Sequence, residues 1–300
     1  MKPAPFEYVA PRSLDEALDL LANHVDRQTD VKLLAGGQSL IPVLNFRLAQ
    51  PAALIDLNRI GDLDSVRESD GTLAIGALTR QRRIERDPRI ATLAPLLAEA
   101  VPWIAHPQIR NRGTVGGSLA HADPAAELPA VATALDATLH LASVRGRRSV
   151  PVAEFYTGLF ATALEPDEIL IEVVLPQRPP RTGYAFQEIA RRHGDYAQAG
   201  IASWISLDEA GLCRDARLVF FSVGDGPVIA SRAAQSLIGH APNAERFAAA
   251  SVLVQNEEIE PNGDIHASAD FKRHLAGVLT RRALALATQR ATLASNGGSR

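Results

Sequence analysis

The residues best suited to chemistry lie around two glycine pairs. Gly36-Gly37 is followed by Gln38, Ser39 and Leu40, and Gly116-Gly117 is preceded by Thr114 and Val115 and followed by Ser118. Adjacent glycines open positive φ and remove the Cβ atoms that hold a ligand off the backbone. Consecutive exposed N–H groups at such a turn form an anion-binding concavity, and a helix start adds more of them. One such loop is an ordinary turn; two copies, eighty residues apart, can close on one diphosphate from both sides. Past the second pair come His121, Asp123 and Glu127, and Arg191-Arg192-His193-Gly194-Asp195-Tyr196 forms a third polar cluster. No GxGxxG follows a strand and no P-loop pattern occurs, so neither Rossmann nor Walker binding is indicated. The eight histidines include no pair at ligand spacing on one helix face. Cys213 is the only cysteine, so this chain alone holds no disulfide and no iron–sulfur cluster, which takes about four thiolates.

The elements that must position these loops are legible in outline. Val31 to Ala35, with Leu33 and Leu34 at its centre, reads as a buried strand that stops at Gly36. Phe6 to Val9 precedes it as a first strand. Ser13-Leu14-Asp15-Glu16 is a capping-box pattern, with Leu14, Ala17, Leu18 and Leu21 at helical spacing, which makes the start of the chain β-α-β. Leu54 to Leu57 is a third strand, and Asp70-Gly71 turns a hairpin into Leu73-Ala74-Ile75. Helices are expected from Thr79 through Arg86, from Pro88 to about Ala100, and from Ala125 to Leu135. A second hairpin turns at Arg145-Gly146, and Ile169 to Leu175 is a strand that closes this half. Gln177-Arg178-Pro179-Pro180-Arg181 reads as a linker. Beyond it come strands at Tyr184 to Ile189, Ala199 to Leu207 and Ala216 to Val223, then helices at Ala230 to Ile238, Ala241 to Gln255 and Asp270 to Arg290. The arginine runs Arg80 to Arg86 and Arg145 to Arg148 read as solvated faces or partner contacts.

LLAGGQSLIP and RGTVGGSLAHADPAAELPA together resemble the FAD-binding medium subunit of molybdenum hydroxylases, the family of carbon monoxide dehydrogenase and the xanthine dehydrogenase flavin domain. The resemblance runs from Phe6 to about residue 290. It implies an α+β fold: a two-part FAD-binding domain of the vanillyl-alcohol-oxidase/PCMH type over residues 1–176, a C-terminal antiparallel sheet with helices over 181–290, and a disordered tail at 291–300. It implies noncovalent FAD held by Leu33, Leu34, Ala35, Gly36, Gly37, Gln38, Ser39 and Leu40 from the first loop. The second loop contributes Thr114, Val115, Gly116, Gly117 and Ser118, with His121, Asp123 and Glu127 beyond it. Ile169, Gln187 and Asp195 join this set. In relatives an acidic residue at the Glu127 position lies near the ribityl chain, and an aromatic residue at the Tyr196 position lies against the isoalloxazine ring, where it can gate access. Two departures stand out: Gln38 replaces a histidine common in relatives, and Gln187 replaces a lysine common in the xanthine dehydrogenase branch. The second leaves the electron acceptor open. Relatives work with a large molybdenum-cofactor subunit and a small iron–sulfur subunit, implying a dimer of heterotrimers and an external electron acceptor.

At 300 residues, two domains are the default. With 46% hydrophobic and 22% charged residues and a net charge of −3, the chain is an ordinary globular protein with no nucleic-acid or anionic-membrane surface. No apolar run approaches the roughly 18 residues of a membrane span. The first residues carry no signal-peptide core, and a reducing cytoplasm fits the cysteine usage. Two alternatives to an electron-transfer subunit stay open: a self-contained FAD-dependent oxidase or reductase of the same fold, and a flavin-free scaffold. The C-terminal half offers no evident substrate site for the first, and intact glycine pairs speak against the second.

Overall fold

Ser13 starts the first helix as its residue type predicts: its Oγ accepts from the Glu16 amide at 3.2 Å, while the Glu16 carboxylate accepts from the Arg12 amide at 2.8 Å. The computed structural model describes residues 2–297, with side chains described through 294. In chain order its elements begin β1 (Glu7–Val9), α1 (Leu14–Asp26), β2 (Val31–Leu34), α2 (Leu40–Asn45) and β3 (Ala53–Asp56). These strands form a parallel sheet in the order β1-β3-β2, so β2 is an edge strand that delivers Gly36-Gly37 at its open end.

β4 (Val66–Ser69) and β5 (Thr72–Gly76) form the expected hairpin, followed by α3 (Gln81–Arg86), α4 (Pro88–Leu93), α5 (Pro95–Ala100), α6 (Pro107–Arg110), α7 (Val115–His121) and α8 (Glu127–Ala134). The single helix expected from Pro88 to Ala100 is broken at Ala94, because Pro95 disfavours the helical region for the residue before it. Then come β6 (Thr138–Ser143), β7 (Gly146–Pro151), the small hairpin β8 (Tyr156–Gly158) and β9 (Ala161–Thr162), and β10 (Ile169–Leu175). The second sheet is antiparallel, ordered β4-β5-β10-β6-β7, and α7 packs on β5 and β10.

The last part holds β11 (Thr182–Ile189), β12 (Ala199–Leu207), β13 (Cys213–Phe221), β14 (Val228–Ile229), α9 (Ser231–Gln235), α10 (Ala244–Leu253) and α11 (Ala269–Gly297). Its antiparallel sheet, β11-β12-β13-β14, is covered on both faces. Phe186, Ala202, Val219 and Phe221 share a core with α5 and α8, and Ala185, Ile201, Ile205, Leu218 and Phe220 share another with α9, α10 and α11. Every residue of β12 is buried, Ser203 and Ser206 included, so the strand lacks the polar-out alternation of a half-exposed strand. α11 runs seven residues past the Arg290 end that the sequence predicts, into the segment expected to be a disordered tail; residues 298–300 of that tail lie outside the described residues. The α+β expectation holds.

The segment read as a linker is tied down. Arg178 lies over the Trp204 ring at 5.0 Å, pairs with Asp136 and donates to the Ala134 carbonyl, to which Trp204 Nε1 also donates at 2.7 Å. Such cation–π contacts gain strength when desolvated.

Close approach of α11 to β11 depends on Gly183, where a Cβ would run into the Ala287 carbonyl. Gly183→Ala is expected to cost about 1–3 kcal/mol by overpacking, read as a lowered midpoint in chemical denaturation at unchanged slope.

Candidate functional site

The two glycine loops touch, and their glycines serve different ends. A Cβ at Gly36 would lie 2.5 Å from the Arg112 carbonyl oxygen and 2.8 Å from Gly113 Cα, so glycine is required there by the neighbouring loop. Gly37 has φ +74°, a left-handed conformation that side chains resist. It turns the chain so that the amides of Gly37, Gln38, Ser39 and Leu40 find no acceptor among the described residues. Ile41 donates to the Gly37 carbonyl and Gln38 Nε2 to the Gly36 carbonyl at 3.0 Å, which holds the loop in shape. Ser39 makes no side-chain cap, leaving its hydroxyl available. Leu33, Leu34 and Ala35 lead into the loop half-buried.

The second loop has already used its amides. Val115 donates to the Thr79 carbonyl at 3.0 Å, Gly116 to the Ala77 carbonyl at 2.8 Å, Gly117 to Thr114 Oγ1 at 3.1 Å and Ser118 to the Thr114 carbonyl at 3.2 Å. Val115 is a core side chain, and a Cβ at Gly116 would overlap Ala77. A Cβ at Gly117 would sit 2.5 Å from Thr114 Oγ1 and 3.4 Å from Ala35 Cβ. The expectation of two equivalent amide nests is therefore revised. The first loop presents free donors; the second forms a tightly packed floor that offers the Ser118 side chain. Ile169, at 1% exposure, lies in the core under the first loop and has no side-chain surface to offer a ligand.

A side-chain clasp joins the loops. Arg80 donates to the Asn58 Oδ1 at 2.6 Å and to the Arg112 carbonyl, while Asn58 Nδ2 donates to the Ala35 carbonyl at 2.8 Å. Gln81 donates its amide to the Gly113 carbonyl at 2.9 Å. Arg80 thus leaves the solvated face that its arginine run suggests; burial, then the Arg112 charge, pull its pKa down. Its neighbours are mostly ion-paired: Arg82 with Glu85, Arg83 with Asp64, and buried Arg110 with Glu85. Nothing in the sequence pointed to Asn58.

The far end of the floor carries the acidic and aromatic groups. α7 ends at His121, whose ring lies 5.3 Å from that of Phe160, and Ala122 turns the chain with φ 53°. Asp123 Oδ1 accepts from the Ala125 amide at 2.8 Å. Glu127 then opens α8 beside Glu188 of β11. Desolvation, opposed by its own amide and aided by Asp123, pushes the Glu127 carboxyl up to about 7. Desolvation and the Glu127 charge push Glu188 up to about 8. Both Glu188 oxygens are buried without a partner. Gln187, one residue earlier, is in the cross-strand row with Ile201 and Phe220 on the opposite face of the sheet, so the structure does not bring it to this acidic end. Tyr196, 68% exposed, is pushed up by desolvation and by the charges of Asp123 and Glu127, so its ring borders this acidic end. Asp195 instead turns to Arg192 (3.0 Å) and Arg191, which lower its pKa. Glu188 and Phe160 were missed in the sequence. The alternation Tyr184, Phe186, Glu188 along β11 is the signal that places a carboxylate on an apolar face.

The chain matches two family models: "FAD binding domain in molybdopterin dehydrogenase" over residues 4–178 and "CO dehydrogenase flavoprotein C-terminal domain" over 184–287. It is 45% identical over 292 residues to the 6-hydroxypseudooxynicotine dehydrogenase complex subunit alpha of Paenarthrobacter nicotinovorans, covering 97% of each chain. It is 41% identical over 291 residues to the caffeine dehydrogenase subunit beta of a Pseudomonas species, again covering 97% of each. Among solved structures, a chain of carbon monoxide dehydrogenase from Hydrogenophaga pseudoflava superposes with a TM-score of 0.93 at 39% identity, over 97% of this chain and 99% of that one.

Two outcomes test this geometry. Asn58→Ala leaves the Ala35 carbonyl without its side-chain donor and removes one of the two acceptors of the Arg80 guanidinium, and is expected to destabilise by about 1–3 kcal/mol, read by denaturant titration. The acid pair sets a pH dependence: raised folded pKa values of about 7 and about 8 mean the unfolded chain binds fewer protons across this range. Stability of the ligand-stripped protein therefore falls as pH rises from near the ordinary carboxylate value through the folded ones. Melting temperatures measured across that window should decline in the wild type and decline less in Glu188→Gln, which cannot ionise.

Proposed function

This chain belongs to the FAD-binding medium subunits of the carbon monoxide dehydrogenase and xanthine dehydrogenase family, and from that premise we propose that it is the flavin relay of a three-chain molybdenum hydroxylase. In this reading residues 1–176 hold the FAD and 181–290 cover its reactive end. A small iron–sulfur subunit delivers electrons, a large molybdenum-cofactor subunit hydroxylates the organic substrate, and an external acceptor removes the electrons. The assembly is a dimer of such heterotrimers in the cytoplasm. Among the described residues no helix is long and apolar enough to cross a membrane.

The observation that carries the proposal is the row of free amides from Gly37 to Leu40 facing a floor of packed backbone, with an exposed tyrosine ring at the other end. The fit is chemical: unpaired donors suit a diphosphate, and an exposed aromatic face suits a ring system. Gly37, Gln38, Ser39 and Leu40 would hold the diphosphate through N–H groups, helped by Ser118. Leu33, Leu34 and Ala35 line the approach. Thr114, Val115, Gly116 and Gly117 keep the floor at the right height. His121, Asp123 and Glu127 would meet the polar sugar chain, and Tyr196 would lie on the ring and exclude water, with Asp195 fixing its loop. When bound, FAD supplies a carrier able to exchange electrons singly or in pairs. The substrate contacts another chain, consistent with the different substrates named for this chain's relatives.

Purified by a tag on this chain from its own host, the protein should bring with it a molybdenum-containing chain and a cysteine-rich iron–sulfur chain. Denaturation should release FAD; FMN, or colour that stays on the polypeptide, would overturn the cofactor assignment. Tyr196→Ala at equal flavin content should change the reoxidation rate and midpoint potential more than flavin retention. No change in either makes Tyr196 a structural residue only.

A further inference from the structure

Glu188 has no structural task that accounts for it. It is 8% exposed, and both of its carboxyl oxygens are buried with no hydrogen-bond partner. The cross-strand row it belongs to runs Glu188–Gly200–Phe221, and the missing side chain at Gly200 is filled by the Phe221 ring, which stacks on Phe186 at 5.6 Å. The carboxyl therefore stands at the edge of an aromatic floor, within electrostatic reach of Glu127 at the start of α8. Next to Phe221, the Ser222 amide donates to the Pro124 carbonyl at 2.8 Å and holds the approach to α8 against this strand. No cation offsets either group among the described residues. Asp123 and Tyr196 are the titratable neighbours coupled to Glu127, and Glu127 is the charge acting on Glu188. Of the charges on α5 and α11, the helices packed against β11, Glu99 and Arg290 are bonded to each other. Among the described residues no group of three or more His, Cys, Asp or Glu is placed to hold a metal ion.

An unpaired buried carboxylate such as Glu188 is costly, and the half-buried Glu127 carboxylate acting on it raises the cost, so the pair retains protons where isolated carboxyls have lost them. The pair also adjoins the end of the site where Asp123, Glu127 and Tyr196 meet, the end assigned above to the flavin ring and its sugar chain. Resting on that assignment, we propose that Glu127 and Glu188 form a proton-sharing carboxyl pair that takes up one proton from water each time the bound flavin is reduced. The accounting is complete without a covalent step. Two electrons delivered singly by a reduced iron–sulfur cluster would add two negative charges, offset by two protons from water. One would go to the flavin and one to the carboxyl pair, which has ionisable capacity near neutral pH and, among the described residues, no cation to satisfy it. Reoxidation by the acceptor would return both protons to water. Glu188 is then a positioning and charge-balancing residue, acting through the electrostatics of the site.

The test is made on the intact flavin-loaded complex. Redox-difference infrared spectra of the wild type should show a protonated-carboxyl band gained on reduction and absent from Glu188→Gln. Optical redox titrations across neutral to mildly alkaline pH should give a flavin midpoint that follows pH about half as steeply in Glu188→Gln as in the wild type, since one of two protons is lost. Equal slopes and an unchanged band at full flavin content overturn the inference while leaving the flavin reading intact. Should Glu188→Gln fail to assemble, Glu127→Gln and the wild-type spectrum carry the same test: a wild type with no carboxyl change on reduction is enough to sink it. A complex that purifies with iron–sulfur clusters and no flavin instead defeats the reading on which the inference rests.

Discussion

Backbone-to-backbone contact between the two glycine loops is the constraint on which the site depends. With no Cβ at Gly36, the first loop rests directly on Arg112 and Gly113. Everything else in the N-terminal half serves to bring those two segments together from different sheets. β2 delivers one from the end of a parallel sheet, α7 delivers the other from the face of an antiparallel one, and Arg80 and Asn58 lock the seam. The division of labour follows. Because the second loop has committed its amides to Ala77, Thr79 and Thr114, it is rigid, and the first can leave its own amides free without collapsing.

The opposite end of the site runs on the reverse principle. There the protein leaves a carboxyl on β11 unsatisfied, with both oxygens buried. Buried polar atoms without partners cost free energy, and native folds keep few of them without a reason. Free amides at one end and protonatable acids at the other make a polar gradient along a single floor. An elongated ligand with an anionic middle and a reducible ring matches it.

Much of this was legible in the chain itself, because it depends on local patterns. The capping box at Ser13, the strand Ala199–Leu207 and the glycine turns all lie where periodicity and turn chemistry place them. What the residues alone did not reveal was partnership across space. Gly36 and Gly116 look alike as letters, yet one is pressed by a neighbouring loop and the other by Ala77. Arg80 belongs to a run that reads as solvated, and only the fold brings Asn58 and the Arg112 carbonyl to it. The break at Ala94 was available from Pro95, whereas the extension of α11 was not, since its last turns carry no stop signal before Asn296-Gly297.

The Arg178–Trp204–Ala134 joint bears on how the protein comes into being. The face of the third sheet carrying Phe186, Trp204 and Phe221 is finished only by α5 and α8, which are translated first. Made alone, residues 182 onward would expose that aromatic face to water, an invitation to aggregate. The two halves that sequence models separate are thus expected to melt in a single cooperative transition, with the earlier half acting as the template on which the later one condenses. A boundary drawn for classification need not be a line along which the molecule can be cut.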